Sequence, residues 1–370
     1  MQHLNHSSIQ LKINNLENLE QTTPPDHDPT ATSRKSDHLE LAMRSQIKDL
    51  DKRFYYEPLF AAHPKQNTVH GTSFSGEGGQ FSFLQKTFRA PLWVSSMTGG
   101  TAKARIINQN LARACRQFGF GMGLGSCRQL LYSDEHFADF NIRPIMGEAV
   151  PLFANLGIAQ LEILIAQNEV WRIEKLIDTL QADGLIIHVN PMQEWLQPEG
   201  DRFQKPAIET IEAILNYLKY PIIVKEVGQG FGYESLKALF QLPLAAVDFA
   251  AAGGTSFSKL ELLRGSSERQ ELYEAWAHIG HSATDMVAFT NQIVADLGDK
   301  RRCSQVIVSG GIGHFLDGFY CIKKLAPLTA VFGQASAFLK YAQGDYAPLE
   351  QFVAMQIEGL AVAEAFLRVR

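Results

Sequence analysis

Asp183-Gly-Leu-Ile-Ile-His-Val-Asn-Pro-Met-Gln-Glu194 is the stretch on which the fold turns. Its apolar first half, bounded by the Asp-Gly turn pair, reads as a buried strand. Pro191 has no N–H to give to a sheet ladder, so the strand must stop before it. An imidazole, two amides and a carboxylate (His188, Asn190, Gln193, Glu194) therefore crowd onto a strand tip and the loop beyond it. Such a loop has two readings. Its Asn and Glu cap the following helix, or it is a reactive tip at the carboxyl end of a parallel strand. What decides between them is whether this strand is one of a parallel set.

Working outward, the same pattern recurs. Apolar runs of strand length occur at Pro91–Met97, Gly119–Gly125, Pro151–Leu156, Gly184–Val189, Pro221–Glu226, Ala246–Ala251, Gln305–Ser309 and Thr329–Gly333. Segments of helical period separate them, among them Ile106–Phe118, Val170–Leu180, Ala207–Leu218, Glu234–Phe240, Met286–Leu297 and Leu316–Leu325, and a last one runs from Leu349 to Leu367. Near-continuous apolar strands alternating with amphipathic helices predict a parallel sheet covered by helices. Eight such units are the number that closes a TIM (β/α)8 barrel. An open doubly wound sheet is the alternative, but it needs no eighth unit.

A chain of 370 residues, 45% hydrophobic and 20% charged, suits one large barrel domain. The formal net charge of −5 offers no basic surface for nucleic acid. No run approaches the roughly 18 apolar residues of a membrane span. Cys115, Cys127, Cys303 and Cys321 are scattered without a CxxC pair, which argues against a zinc site or a disulfide framework and fits the cytoplasm. The polar residues 1–33 contain no secretory h-region and are expected to be a mobile extension. Residues 34–90 are expected to form an arm and cover segment, with helical spacing from Leu39 to Leu50, and the barrel is expected over 91–370. Arg34 and Lys35 suit either a solvated surface or an arm that closes over an anion.

In a barrel, chemistry sits where strands end. Those positions read Ser96-Met-Thr-Gly-Gly100, Gly125-Ser-Cys-Arg-Gln129, Asn155, the His188–Glu194 cluster, Lys225-Glu226, Ala252-Gly-Gly-Thr-Ser256, Ser309-Gly-Gly-Ile312 and Gly333-Gln-Ala-Ser336. The last three are small-residue loops whose peptide N–H groups can wrap an anion, and barrels often hold phosphate after strands 7 and 8. Gly310, Gly311, Ala335 and Ser336 fit that role. Lys225 lies among Ile, Val and Pro, and its ammonium needs an anionic partner. That partner is either a ligand or an internal carboxylate, Glu226 or Asp248. Alternate residues of a strand face opposite ways, so Lys225 and Glu226 cannot both enter the barrel; Lys225 is read as the one facing the site. One carboxylate such as Glu194, with substrate phosphate oxygens, is a familiar way to hold Mg2+.

Taken together, the motifs Arg34-Lys-Ser-Asp-His38, Met97-Thr-Gly-Gly100, Gly125-Ser-Cys-Arg128, His188-Val-Asn-Pro-Met-Gln-Glu194, Val224-Lys-Glu-Val-Gly-Gln-Gly230, Val247-Asp248 with Ala252-Gly-Gly-Thr-Ser256, and Ser309-Gly-Gly-Ile312 resemble the type 2 isopentenyl-diphosphate isomerases, FMN-dependent TIM-barrel enzymes. The resemblance spans Arg34 to about Leu339. It implies FMN on Ser96, Met97, Thr98, Ser126, Asn155 and Lys225, with its phosphate on Thr255, Gly311, Ile312, Gly313, Ala335 and Ser336. It implies a small-molecule diphosphate substrate on Arg34, Lys35, His38, Ser126, Arg128, His188 and Asn190, with Gln193 as the catalytic residue beside the reacting carbons and Glu194 on Mg2+. NADPH would serve as reductant, and the protein would be a homo-oligomer, with a tetramer expected. The chain departs from the family pattern at Gly313-His314, where a larger residue (often Arg or Gln) is usual, at Gly232, where Ser or Ala is common, and in its extension of some thirty residues. The rival activity is an FMN-dependent 2-hydroxy-acid oxidoreductase, which needs a His base and an Arg clamp late in the barrel. His278, His281 and His314 supply histidines there, with no evident paired Arg. A phosphometabolite-binding protein without catalysis would keep the glycine loops but would need neither Lys225 nor Glu194.

Overall fold

The structure, a computed structural model, describes residues 41–42, 44–64, 80–96, 101–325 and 327–370. Arg34, Lys35, His38, Met97 and Thr98 lie outside the described residues. The chain divides into two compact units, Met1–Lys52 and Arg53–Arg370. In the first, the helical spacing expected as far as Leu50 is not realised: residues 45–50 have no helix. Ile47 and Leu50 are about three-quarters exposed, at 77% and 75%. A short helix whose apolar stripe meets no core is marginal in water.

The second unit carries a closed barrel of eight parallel strands. In chain order they are β1 Leu92–Val94, β2 Gly121–Gly123, β3 Leu152–Gly157, β4 Gly184–His188, β5 Ile222–Lys225, β6 Ala246–Asp248, β7 Gln305–Ser309 and β8 Thr329–Gln334. Each pairs with the next, and β8 pairs with β1 to close the ring. Every apolar run of strand length in the sequence is a barrel strand. Helices at Ala102–Phe118, Trp171–Leu180, Ala207–Tyr217, Tyr233–Phe240, Ala283–Leu297, Phe315–Lys324 and Ala347–Phe366 cover the outside. Their ends follow local chemistry. Thr101 Oγ1 accepts the N–H of Ala104 to start the first, and Gly119 in the left-handed region stops it. Ser282 and Asp285 form a capping box on Ala283–Leu297.

The interior is packed, not hollow. Trp93 and Ile186 are fully buried there, and Trp93 meets Phe153 edge-on with ring centroids 6.2 Å apart. A hairpin, Phe81–Phe83 with Lys86–Phe88, closes the amino-terminal end. Its two-residue turn puts Leu84 and Gln85 at positive φ (50° and 61°), as tight hairpins require. Leu84 donates its N–H to the Gln305 side chain at the start of β7 (2.7 Å), and Lys86 pairs with Asp183 just before β4 (3.0 Å). With that end plugged, the ligand-accessible mouth is at the carboxyl ends of the strands. No helix among the described residues is long and apolar enough to cross a membrane.

Candidate active site

A cavity of about 180 Å3 opens at the carboxyl ends of the strands, walled by the loops after β5, β6, β7 and β8 and by the end of β1. Thr255, Gly311, Ile312, Gly313, Ala335 and Ser336 all line it, together with Ser96 and Lys225. The loops after β6 and β7 meet backbone to backbone. Gly310 sits at φ 85°, and a Cβ there would lie 2.1 Å from the Ala251 carbonyl oxygen and 2.2 Å from its nitrogen. A Cβ on Gly254 would lie 3.1 Å from the Gly311 nitrogen. With side chains excluded, peptide groups form this wall, and peptide N–H groups are what an anion needs.

Ser95 Oγ, Ser96 Oγ and Gln334 Oε1 line the same cavity, and all three are buried without a hydrogen-bond partner. Buried polar atoms are nearly always bonded, so three orphans on one wall mark where a polar ligand belongs. A glycine-walled pocket with free hydroxyls, a free amide oxygen and an ammonium fits the phosphate, polyol and electron-rich ring of FMN. Sequence reading gave Ser95 and Gln334 no role, although Gln334 stands inside the strand end Gly333-Gln-Ala-Ser336; their unsatisfied atoms are what reveal them.

Lys225 ends β5, is buried at 7% exposure and donates from Nζ to the Glu226 carbonyl oxygen (2.6 Å). Its neighbour turns the opposite way, as strand alternation requires. Glu226 Oε2 accepts the N–H groups of Gly228, Gln229 and Gly230 at 2.7, 2.5 and 2.9 Å, outside the barrel. Burial pushes the Glu226 carboxyl above its ordinary range, against the pull of those N–H groups. Neither carboxylate offered as an internal ion-pair partner comes within 4.0 Å of the ammonium.

His188 ends β4 beside Lys225 in register. Its Nδ1 lies 2.7 Å from Asn155 Oδ1, and Asn155 Nδ2 donates to the Leu124 carbonyl (3.0 Å), which fixes the amide orientation. Nδ1 therefore carries the proton and Nε2 is left as an acceptor. Asn155 reaches the site through His188. Burial first, and Lys225 second, hold the imidazole down from 6.5 to about 3. As pH falls between those values the unfolded chain takes up a proton that the fold refuses, so stability declines across that window. His188→Asn retains an N–H for Asn155 and does not titrate. Urea unfolding at pH 7 and pH 5 should show a smaller acid loss in this variant than in the unaltered protein; equal losses would assign the proton to another group.

The polar tip after β4 is not a loop. Pro191 ends the strand and is also the first residue of a helix, Pro191–Leu196, the position where its fixed φ and missing N–H cost nothing. This helix carries Gln193 and Glu194. Asn190 heads it, yet its side chain caps no N–H. It donates from Nδ2 to Glu194 Oε1 (3.0 Å) and Gln193 Oε1 (3.1 Å), and its Oδ1 is buried and unpaired. Glu194 Oε2 accepts the Asp201 N–H (2.8 Å). Asp201 in turn accepts from Gln160 (3.0 Å) and from Arg128 (2.9 Å). Gln193 Nε2 donates to Glu261 Oε1 at 3.1 Å. One network thus joins Arg128, Asn190, Gln193 and Glu194 with Gln160, Asp201 and Glu261, three residues that carried no sequence signal. The Arg128–Asp201 pair is more than half exposed on the Arg side, at 56%, and exposed pairs are weak, so Arg128 can turn to an anion. Ser126, two residues before it, is exposed on the same loop.

Among the described residues no cluster of three or more His, Cys, Asp or Glu side chains forms a metal cage. Glu194 nonetheless suits Mg2+. Each of its oxygens takes one N–H and keeps a further lone pair, and the orphaned Asn190 Oδ1 lies on the same helix start. Mg2+ commonly binds through one carboxylate, with waters and substrate phosphates completing its shell.

No protein-family model matches the chain. An isopentenyl-diphosphate delta-isomerase of Rickettsia africae (strain ESF-5) is 32% identical over 330 residues, which cover 89% of this chain and 91% of the relative. The enzyme of the same name from Rickettsia prowazekii (strain Madrid E) is 33% identical over 310 residues, 84% of this chain and 85% of the relative. Among solved structures, a mandelate oxidase with a monooxide FMN adduct superposes with a TM-score of 0.48 at 13% identity, covering 84% of this chain and 87% of that one. Mandelate oxidase with (S)-mandelic acid gives 0.47 at 14% identity, with 86% and 87% covered.

Proposed function

The chain belongs to the isopentenyl-diphosphate delta-isomerase family, an isomerase family, and from that membership we propose that it converts isopentenyl diphosphate to dimethylallyl diphosphate on a barrel-held FMN with Mg2+. The observation that carries the cofactor part is the convergence on one cavity of a peptide-walled glycine seam, three unpartnered polar atoms and the Lys225 ammonium.

The reaction adds a proton at C4 of the substrate and removes one at C2. A carbon–carbon double bond is a poor base, so a well-placed acid is needed, and positive charge develops at C3. Reduced FMN, when bound, supplies an electron-rich face and acid/base groups for this chemistry. The residues of the chain hold the reactants. The peptide groups of the loops after β6, β7 and β8 bind the cofactor phosphate. Lys225 offers a fixed cation to the ring. Arg128, Asn190 and His188 meet the diphosphate, joined by Arg34, Lys35 and His38 of the arm. Glu194 would hold Mg2+, whose charge would offset that of the diphosphate, and Gln193, braced between Asn190 and Glu261, would orient the reacting carbons. NADPH is proposed as the reductant of the flavin, a homotetramer as the assembled form and the cytoplasm as the location.

The hydroxy-acid oxidoreductase reading finds less support. No histidine or arginine among the described residues lines the cavity. His278 pairs with Glu274 at 3.4 Å, and His314 accepts the Leu316 N–H at the head of its helix. Two measurements decide. The purified protein should carry flavin absorbance, and isopentenyl diphosphate should yield dimethylallyl diphosphate only when a reductant is supplied. A colourless protein that binds no FMN, or a flavoprotein that oxidises 2-hydroxy acids and leaves isopentenyl diphosphate unchanged, would overturn this reading.

A further inference from the structure

In the sequence Asp248 stands as a possible ion-pair partner for Lys225 and within the Val247-Asp248 motif, and the mechanism leaves it unused. It pairs in register with Lys225 on β5 and with Ile307 on β7. Register partners in a sheet send their side chains to the same face, so Asp248 enters the barrel interior beside Lys225. It is fully buried. Its Oδ1 accepts from the Ser309 hydroxyl (2.5 Å), which in turn accepts the Ala250 N–H (3.0 Å), while Oδ2 is buried with no partner. A buried carboxylate with an idle oxygen is costly and persists only where something balances it.

The groups around Lys225 leave one candidate for that balance. From β4, His188 is neutral. From the loop after β5, the Glu226 carboxylate faces out of the barrel and holds three peptide N–H groups. From β7, Ser309 brings a hydroxyl. Asp248, from β6, is the anion on the inside.

We propose that Asp248 is the positioning residue for Lys225: its carboxylate, held by Ser309 across the β5–β6 seam, keeps the ammonium charged without tying it up, so that the cavity presents a permanent cation to the bound flavin. The distance serves this role. An ion pair in contact would occupy the protons of Lys225, whereas a charge beyond 4.0 Å stabilises them and leaves them free for a ligand. Burial pushes the Asp248 carboxyl above its ordinary range, and the Lys225 charge, first among the opposing causes, works against that rise without cancelling it.

This inference rests on the FMN reading, and the test separates the two. FMN dissociation from the holoprotein is measured by the fluorescence of released flavin from pH 7.5 to pH 9, above the second ionisation of the FMN phosphate at roughly pH 6. The unaltered protein should hold FMN equally well across that range. In Asp248→Asn the interior anion is gone and the Lys225 ammonium loses its support, so that FMN should bind at least tenfold more weakly at pH 9 than at pH 7.5. Ser309→Ala, which frees the carboxylate without removing it, should show the same trend to a smaller degree, and it decides the matter if the Asn variant does not fold. Lys225→Met combined with Asp248→Asn should be flat with pH. A loss that is uniform across pH, or no loss, in the single variants would overturn the inference and leave Asp248 as a packing group. An unaltered protein that binds no FMN at any pH would instead sink the cofactor assignment.

Discussion

Lys225→Met is expected to cost the protein its flavin before it costs it its fold. The substitution keeps the length and apolar stem of the side chain but removes the ammonium. One hydrogen bond is lost inside the protein, the 2.6 Å contact to the Glu226 carbonyl. The Asp248 carboxyl, which burial already pushes up, can take a proton once the ammonium is gone, so no buried charge is left unbalanced. Thermal stability should therefore change little. The ligand side is different. A hydrogen bond to a charged group is worth about 1.5–3 kcal/mol, roughly 10- to 150-fold in affinity, and loss of a preorganised electrostatic partner typically lowers kcat by about 10²–10³. FMN titration, turnover and thermal melting on one preparation separate these effects. Full FMN occupancy and activity in a protein that has lost several kcal/mol of stability would make Lys225 a structural ion-pair member instead.

The second large effect falls on Glu194. A diphosphate brings several negative charges toward a carboxylate that is buried at 8% exposure, and only an intervening cation makes that approach favourable. Glu194→Gln preserves the bulk of the side chain and an acceptor for either Asn190 or Asp201, but it removes the charge that Mg2+ needs. The Mg2+ concentration for half-maximal activity and the substrate KM should rise together, by about 10- to 150-fold if one charged contact worth roughly 1.5–3 kcal/mol is lost, and excess Mg2+ should restore part of the rate. A variant whose Mg2+ titration is unchanged while kcat collapses would move Glu194 from the metal to proton transfer.

These positions differ in how far the sequence announced them. The barrel was legible because each strand is an apolar run closed off by Pro, Gly or a polar tip, and Gln305–Ser309 is realised residue for residue. The opposite facing of Lys225 and Glu226 follows from strand alternation alone. Strand ends were less legible. Of the run expected from Pro91 to Met97, the strand covers Leu92–Val94 and its ladder reaches Ser95, whose N–H donates to the Gln334 carbonyl, while Met97 lies outside the described residues. The helix at Pro191–Leu196 was hidden because a proline signals both the end of a strand and the start of a helix. Gln160, Asp201 and Glu261 were out of reach for another reason. Gln160 and Asp201 bond across 41 positions of sequence, and Gln193 and Glu261 across 68, and no local period encodes such a meeting.

The seam between the loops after β6 and β7 also constrains how the sequence can drift over generations. The atoms that a side chain at Gly310 would strike are the peptide nitrogen and oxygen of Ala251. Every residue type carries those atoms, so no exchange at position 251 can make room, and compensating pairs of substitutions are closed off. Gly313 is different. The nearest atom to a Cβ there is Asp317 Oδ2, at 3.8 Å, and its peptide still lines the cavity whatever the side chain. Descent should therefore hold position 310 to glycine in every lineage that keeps the pocket, while position 313 accumulates residues of many sizes.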